Sequence, residues 1–150
     1  MQEVAVSMSR KLPSGVRLGF DLVQVSQIAH SVECFGAAFQ ERLFTRGEQA
    51  YAQSRSGVSA ERLAARFAAK EAVIKALQLS DAGIGWRDIE VVKREDGDCE
   101  LQLHGRVAAL AAQMGVDRLL LSLSHDGDYA GAMVMAFSHS PQPEYFLHTP

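Results

Sequence analysis

Apolar and polar side chains first alternate in the segment 17–25, which also contains β-branched valines. An alternation with a period of two is typical of a β-strand. Two pairs of later segments surround the dipeptides Asp96-Gly97 and Asp126-Gly127, which favour the tight turn of a β-hairpin. Strands are therefore predicted at 17–25, 89–93, 100–104, 118–125 and 129–137.

Elsewhere, apolar residues recur at the three- and four-residue spacing of an α-helix. The first helix has an apolar face made of Ile28, Val32, Phe35 and Phe39. Thr45 and Glu48 form the capping-box pattern of a second helix, and Ser59 is a plausible N-cap for a long alanine-rich third helix. Gly115 is a residue typical of helix C-termini and is expected to end a fourth helix. Helices are therefore predicted at 26–40, 45–53, 59–79 and 106–114, which makes the fold class α+β.

Composition supports one globular domain. The 150 residues are 47% hydrophobic and 22% charged, and the net charge of −3 gives no overall indication of a nucleic-acid partner. We expect a lead-in at 1–16, a domain at 17–137 and a proline-containing tail at 138–150. No apolar run approaches membrane-spanning length, the first ten residues lack the pattern of a signal peptide, and two cysteines form no disulfide framework. The expected location is the cytoplasm, with no membrane partner.

Two carboxylates interrupt apolar patterns. Glu71 lies within the apolar stripe of the long helix, four residues after Phe67 and three before Ile74. Asp21 lies mid-strand, and Gly19 on the same face would let another element approach the backbone. An unpaired carboxylate on a packed face costs free energy, so each should be protonated, paired or bound to a metal. One alternative is a purely structural carboxylate bonded to Lys75 or Arg66. The other is a Mg²⁺ site formed by Asp21 and Glu71.

Basic residues follow the same helix. Although the chain as a whole is acidic, the segment 41–75 has an excess of basic side chains. Arg62, Arg66 and Lys70 are spaced by four residues, and like charges at that spacing repel unless an anion neutralises them. Lys75 lies four residues after Glu71, so a simple ion pair between these two residues is an alternative explanation of its position. Cations beside two carboxylates are what a metal-bound diphosphate requires.

Four segments carry a family resemblance. They are GFDLVQVSQI at 19–28, RFAAKEAVIKAL at 66–77, WRDIEV at 86–91 and LSLSHD at 121–126. The set resembles, in order and spacing, the motifs of the holo-acyl-carrier-protein synthases, the small type of phosphopantetheinyl transferase. The 66–77 segment is the most specific match. The resemblance covers about 17–137 and implies the phosphopantetheinyl transferase fold, in which an antiparallel sheet packs against a long central helix.

The resemblance implies an activity, in which the 4'-phosphopantetheine group of coenzyme A is transferred to a serine of apo acyl carrier protein and adenosine 3',5'-bisphosphate is released. The implied Mg²⁺ ligands are Asp21 and Glu71. Coenzyme-binding residues are expected to be Arg66, Lys70, Lys75 and His125. Glu71, or a metal-associated water that it orients, is the candidate acceptor of the serine proton, and Lys75 is the second candidate. Family members are commonly homotrimers with active sites at subunit boundaries.

Some positions depart from the family pattern. Gln24 and Gln27 replace a usual Glu and Arg, and that Arg is expected to help dock the acidic carrier protein. The segment 78–80 is Gln-Leu-Ser where the family has Gly-Thr-Gly, and a usual proline near Cys99 is absent. These departures leave a second hypothesis, a non-catalytic relative that binds coenzyme A or a carrier protein. A third is an unrelated α+β phosphate-ester enzyme that uses the same carboxylates.

Overall fold

The computed structural model describes residues 15–138. The predicted lead-in, apart from its last two residues, and the predicted tail, apart from Ser138, lie outside the described residues. The elements are, in chain order, β1 (Val16–Gln24), α1 (Val25–Leu43), α2 (Arg46–Gln53), α3 (Ser59–Leu77), a short 3-10 helix (Trp86–Asp88), β2 (Ile89–Lys93), β3 (Cys99–Leu103), α4 (Gly105–Gln113), β4 (Val116–Asp126) and β5 (Tyr129–Ser138).

The strands form two antiparallel sheets. The larger sheet has the order β1-β5-β4, and β2 pairs with β3 in a separate hairpin. The predicted α+β class, the five strands and the two hairpins are confirmed. The expected single antiparallel sheet is instead two sheets, and local periodicity could not predict this because it does not encode which distant strands pair.

Helix α3 lies at the centre of the molecule and packs against β1, β5, α1 and α2. Its buried residues lie on all sides, and most of those facing other elements are small: Ala64, Ala68, Ala69, Ala72 and Ala76. Small side chains allow close packing, and Gly19 on β1 makes the closest approach. A Cβ at Gly19 would lie 1.8 Å from the carbonyl oxygen of Ala72. Gly19 was expected to let another element approach the backbone of β1, and the element that does so is the main chain of α3.

Helix α1 differs from its prediction. It continues to Leu43, but Gly36 interrupts it with a φ of 56° and a ψ of −135°. Ile28 and Phe35 both precede this interruption. Ile28 is buried, whereas Phe35 is the last residue before the helix breaks and is 67% exposed. The predicted burial of Phe35 is therefore wrong. Ser59 is also not the N-cap of α3, because the cap is Val58, which makes no side-chain capping bond. The capping box of Thr45 and Glu48 on α2 is confirmed.

The outer face of the larger sheet is apolar and exposed. On β1, every second residue points away from α3, and exposed fractions range from 38% at Val16 to 56% at Leu22. Other large exposed side chains on this face are Leu18, Phe20, Leu120 and Met133. A contiguous apolar surface of this kind is typical of an interface with another protein surface. Within residues 15–138, no helix is long and apolar enough to cross a membrane.

Candidate active site

The close packing of β1 on α3 brings Asp21 beside the helix. Asp21 shares the inward face of β1 with Gly19, and its side chain is 15% exposed. Lys75 Nζ lies 2.7 Å from Asp21 Oδ1 and donates a second hydrogen bond to the carbonyl oxygen of Phe20 at 3.2 Å. The structure therefore joins two of the predicted site residues directly, and it pairs Lys75 with Asp21 and not with Glu71.

Glu71 lies one helical turn before Lys75. Burial raises the pKa of Glu71 above its ordinary value, the negative charge of Asp21 raises this pKa further, and Lys75 opposes both effects. Both carboxylates line one pocket, in keeping with the influence of Asp21 on Glu71. In the described part of the chain, the Glu71 carboxylate takes part in none of the ion pairs. The structural alternative, a carboxylate bonded to Lys75 or Arg66, describes Asp21, which pairs with Lys75, but does not describe Glu71.

Asp21 and Glu71 line a pocket of about 790 Å³. Its apolar lining includes Trp86, which stacks on Phe67 with a centroid distance of 5.2 Å and an interplanar angle of 25°. The other lining residues come mainly from β1 and α1: Leu22, Val23, Gln24, Gln27, Ile28, Ser31, Phe39, Arg42, Leu43 and Tyr129. The sequence analysis missed Trp86 and Arg42 as site residues, although Trp86 begins one of the four motifs.

The two carboxylates fit a hard divalent cation. Mg²⁺ is commonly held by one or two carboxylates, with phosphate oxygens and water completing its coordination. Residues 15–138 contain no group of three or more side chains suited to holding a metal. A cation in this pocket would therefore take Asp21 and Glu71 and leave its other positions to a phosphate ligand and water.

Arg66 and His125 lie in a different pocket of about 300 Å³. Arg66 is 2% exposed, and its Nε and Nη2 are buried without a hydrogen-bond partner. The guanidinium groups of Arg62 and Arg66 both lie against the ring of Tyr51, at 4.3 and 4.2 Å from its centroid. Burial lowers the pKa of Arg66, which shows that its charge is poorly compensated. The pocket is therefore suited to an anionic ligand.

One acid also lies in this smaller pocket. Glu61 Oε2 is 3.4 Å from His125 Nδ1, and both residues line the pocket. Further basic residues there are Arg55 and Lys93. The smaller pocket and the 790 Å³ pocket have no lining residue in common. Within one chain, Arg66 and His125 are thus separated from the predicted metal ligands, whereas Lys75 contacts Asp21 directly.

Lys70 is not placed where the sequence predicts. It is fully buried, its Nζ lies 2.9 Å from Glu48 Oε2, and it donates hydrogen bonds to the carbonyl oxygens of Trp86 and Ile89. It lines neither pocket. Because its ammonium group has no exposed surface to offer a ligand, we leave Lys70 out of the site. The repulsion expected along Arg62, Arg66 and Lys70 is relieved by Tyr51 and Glu48.

Comparison with known families accounts for this arrangement. The family model of the 4'-phosphopantetheinyl transferase superfamily matches residues 17–134. The chain belongs to the 4'-phosphopantetheinyl transferase superfamily. The family resemblance of the four sequence motifs is thereby confirmed.

Several named members of this superfamily are similar to this chain over most of their own length. The holo-[acyl-carrier-protein] synthase of Salinispora arenicola is 46% identical over 121 residues, which cover 81% of this chain and 97% of that protein. The enzyme of the same name from Gloeobacter violaceus is 43% identical over 118 residues, covering 79% and 89%. Among solved structures, the ACPS–CoA complex of Chronobacterium ammoniagenes has a TM-score of 0.72 and 36% identity over 83% of this chain and 98% of that one.

Proposed function

We propose that this chain is a Mg²⁺-dependent holo-[acyl-carrier-protein] synthase. It transfers the 4'-phosphopantetheine group of coenzyme A to a serine of apo acyl carrier protein and releases adenosine 3',5'-bisphosphate. The observation that carries the proposal is the neighbouring pair Asp21 and Glu71 in a pocket large enough for the reacting end of the coenzyme. The curated relatives and the coenzyme A complex of a similar protein support the same activity.

The carboxylates of Asp21 and Glu71 hold the metal. When bound, Mg²⁺ neutralises the diphosphate and makes its phosphorus a better electrophile. Lys75, now paired with Asp21 at 2.7 Å, is 52% exposed and has enough freedom to turn toward a phosphate oxygen when a cation takes the negative charge of Asp21. Asp21 would then be paired with Lys75 before the cation binds and with the cation afterwards.

In the reaction, the serine oxygen attacks the phosphorus that carries the pantetheine arm. A new oxygen–phosphorus bond forms, and the bond from that phosphorus to the oxygen of adenosine 3',5'-bisphosphate breaks. The serine proton must be accepted, and Glu71 is placed to accept it, directly or through a water that it orients. Its carboxylate lines the same pocket as Asp21, where the serine oxygen would react. Lys75 is the second candidate and would need to lose its proton first.

The smaller pocket holds the adenosine end of the coenzyme, with Arg66 and His125 near its phosphate. The two buried and unpartnered nitrogens of Arg66 support this assignment, because an anion would satisfy both. Since the two pockets share no residue, we propose that the metal ligands of one subunit meet the smaller pocket of a neighbour in a homotrimer. The exposed apolar face of β1, β4 and β5 is the proposed contact surface. Both cysteines are free thiols, in keeping with a cytoplasmic enzyme.

The proposal is tested by mass spectrometry of apo acyl carrier protein after incubation with coenzyme A, Mg²⁺ and this protein. We expect a gain of one phosphopantetheine mass, and no gain when EDTA removes the divalent cation. Glu71→Gln should lower the transfer rate by about 100-fold or more, because it removes both a ligand charge and a base. Glu95→Gln is the matched control, since Glu95 is exposed on the β2–β3 turn.

Circular dichroism should show the same fold and melting temperature for both variants. Transfer that persists in EDTA would contradict the metal dependence, and full activity of Glu71→Gln would remove Glu71 from the mechanism. If the wild-type protein modifies none of several carrier proteins but binds coenzyme A or a carrier, the non-catalytic hypothesis replaces this one.

A further inference from the structure

Three arginines surround a depression that adjoins the active-site pocket. Arg42, Arg46 and Arg87 line a space of about 540 Å³ together with Thr45, Gly85, Trp86 and Asp88. Arg42 and Trp86 line the active-site pocket as well, so the two spaces are continuous. We call the side chains of Arg42, Arg46 and Arg87 the arginine patch.

The charges of the arginine patch are uncompensated. All three side chains are exposed, and none takes part in a hydrogen bond or ion pair among the described residues. Asp88 is the one acid in the lining, and its Oδ2 accepts a hydrogen bond from the backbone N–H of Gly85 at 3.3 Å. By contrast, Arg94 contacts both Asp96 and Glu100. The patch is therefore a surface of net positive charge.

Three separate elements present the patch. Arg42 lies in the last turn of α1, Arg46 is the first residue of α2, and Arg87 lies in the 3-10 helix. The first turn of a helix disfavours positive charge, because the helix dipole is positive there. Arg46 is thus at a position where it weakens α2 slightly. An anionic partner would reverse that effect and neutralise all three guanidinium groups.

The opposite side of the pocket has no comparable charge. Helix α1 contributes Gln27 and Ser31 to the lining, and its ionisable side chains before Arg42 are His30, Glu33, Cys34 and Glu41. A negatively charged protein approaching the pocket would meet no fixed cation along this helix before Arg42. Among the residues that line the two spaces, the basic side chains are those of the arginine patch.

We propose that the arginine patch docks an acidic surface of the carrier protein and brings its serine past Trp86 into the active-site pocket. The inference rests on the proposed function, and it moves the main charge contact from the start of α1 to the junction of α1, α2 and the 3-10 helix. Exposed complementary charges of this kind accelerate association and make it dependent on salt.

The test uses the double variant Arg46→Glu and Arg87→Glu, because both residues line only the outer depression and not the active-site pocket. Arg94→Glu, on the exposed β2–β3 turn, is the charge-matched control for each reversal. Labelled apo acyl carrier protein is titrated with each protein without coenzyme A, and its fluorescence anisotropy gives Kd. We expect Kd to rise by roughly tenfold or more in the double variant and to lose most of its salt dependence. In the control, we expect Kd to stay near the wild-type value.

Steady-state kinetics separate this proposal from a role in coenzyme binding. The KM for the carrier protein should rise in the double variant, whereas the KM for coenzyme A should not change. A higher KM for coenzyme A with an unchanged Kd for the carrier protein would assign the patch to the coenzyme and overturn the proposal. An unchanged Kd for the carrier protein in the double variant would also overturn it. Because this Kd is measured without transfer, it tests docking even if the proposed activity fails.

Discussion

At the scale of single residues, Gly19 decides how closely β1 approaches α3. A methyl group at this position would lie 1.8 Å from the carbonyl oxygen of Ala72 and 2.8 Å from the backbone nitrogen of Ala76. Neither neighbour is a flexible side chain, so the strand and the helix would have to separate. The position of Asp21 relative to Glu71 depends on this backbone contact.

Gly19→Ala should therefore lower both stability and activity. We expect a loss of about 3 kcal/mol or more in the free energy of unfolding, because the clash is with main-chain atoms. The control is Gly47→Ala, whose Cβ would meet the flexible end of the Glu90 side chain at 3.2 Å. Urea denaturation of both variants measures the difference. If Gly19→Ala unfolds at the wild-type urea concentration, the backbone contact is not as close as described.

Single residues also show how much of the candidate site could be predicted from the sequence. Asp21 and Glu71 were recognisable because each interrupts an apolar pattern, and the structure brings both to one pocket. Lys70 and Lys75 are equally basic and lie on the same helix, yet one is buried and the other is exposed. That difference depends on Glu48, which lies on another helix, and periodicity carries no information about which helices meet. The roles assigned to Asp21, Glu71, Arg66 and His125 stay predictions.

At the scale of elements, a buried ion pair joins three of them. Glu48 on α2 accepts hydrogen bonds from the backbone N–H groups of Thr45 and Val91 at 2.9 Å, and its carboxylate pairs with Lys70 on α3. Lys70 in turn donates hydrogen bonds to the carbonyl oxygens of Trp86 and Ile89. The pair thus fixes the segment that carries Trp86 against the central helix, where Trp86 stacks on Phe67.

Lys70→Met should be strongly destabilising, because it leaves the charge of Glu48 buried and unpaired. We expect a loss of about 3–5 kcal/mol in the free energy of unfolding. The double variant Lys70→Met and Glu48→Gln should recover part of that loss, since it removes both charges. Thermal unfolding of the two variants gives the comparison. Equal melting temperatures for the single variant and the wild type would contradict this account.

Element boundaries were predicted well where local chemistry sets them. The capping box begins α2 in the structure as in the sequence, and Asp-Gly turns join both hairpins. Gly36 shows the limit of periodicity: four apolar residues at helical spacing share a face only when the helix is continuous. The positive φ of Gly36 places Phe39 in a separate helical segment from the three earlier residues, and Phe35, the last residue before the break, is exposed.

At the scale of the whole molecule, the site residues are divided between two pockets. The predicted metal ligands line one pocket, Arg66 and His125 line the other, and the exposed apolar sheet face offers a surface by which copies can associate. The proposed homotrimer joins the two pockets across a boundary. If the site is shared between subunits, two inactive variants with defects in different pockets should regain activity when they are mixed.

Glu71→Gln and Arg66→Met should each be inactive alone and recover activity when mixed by co-refolding. In a mixed trimer, an intact Glu71 from one variant can meet an intact Arg66 from the other. Asp21→Asn mixed with Glu71→Gln is the control, because both residues belong to the same pocket and no mixture rebuilds it. Phosphopantetheine transfer is measured before and after mixing. A mixture of Glu71→Gln and Arg66→Met no more active than this control would contradict the shared site.

The absence of any common lining residue between the two pockets also bears on how the rate responds to dilution. If the proposed homotrimer joins the two pockets, a chain on its own holds only part of the catalytic apparatus, and turnover requires association between like molecules before any substrate is engaged. The rate should then climb more steeply than in simple proportion to the amount of protein, until assembly is complete. A cell making too few copies would lose nearly all of this activity well before it lost the last of the polypeptide.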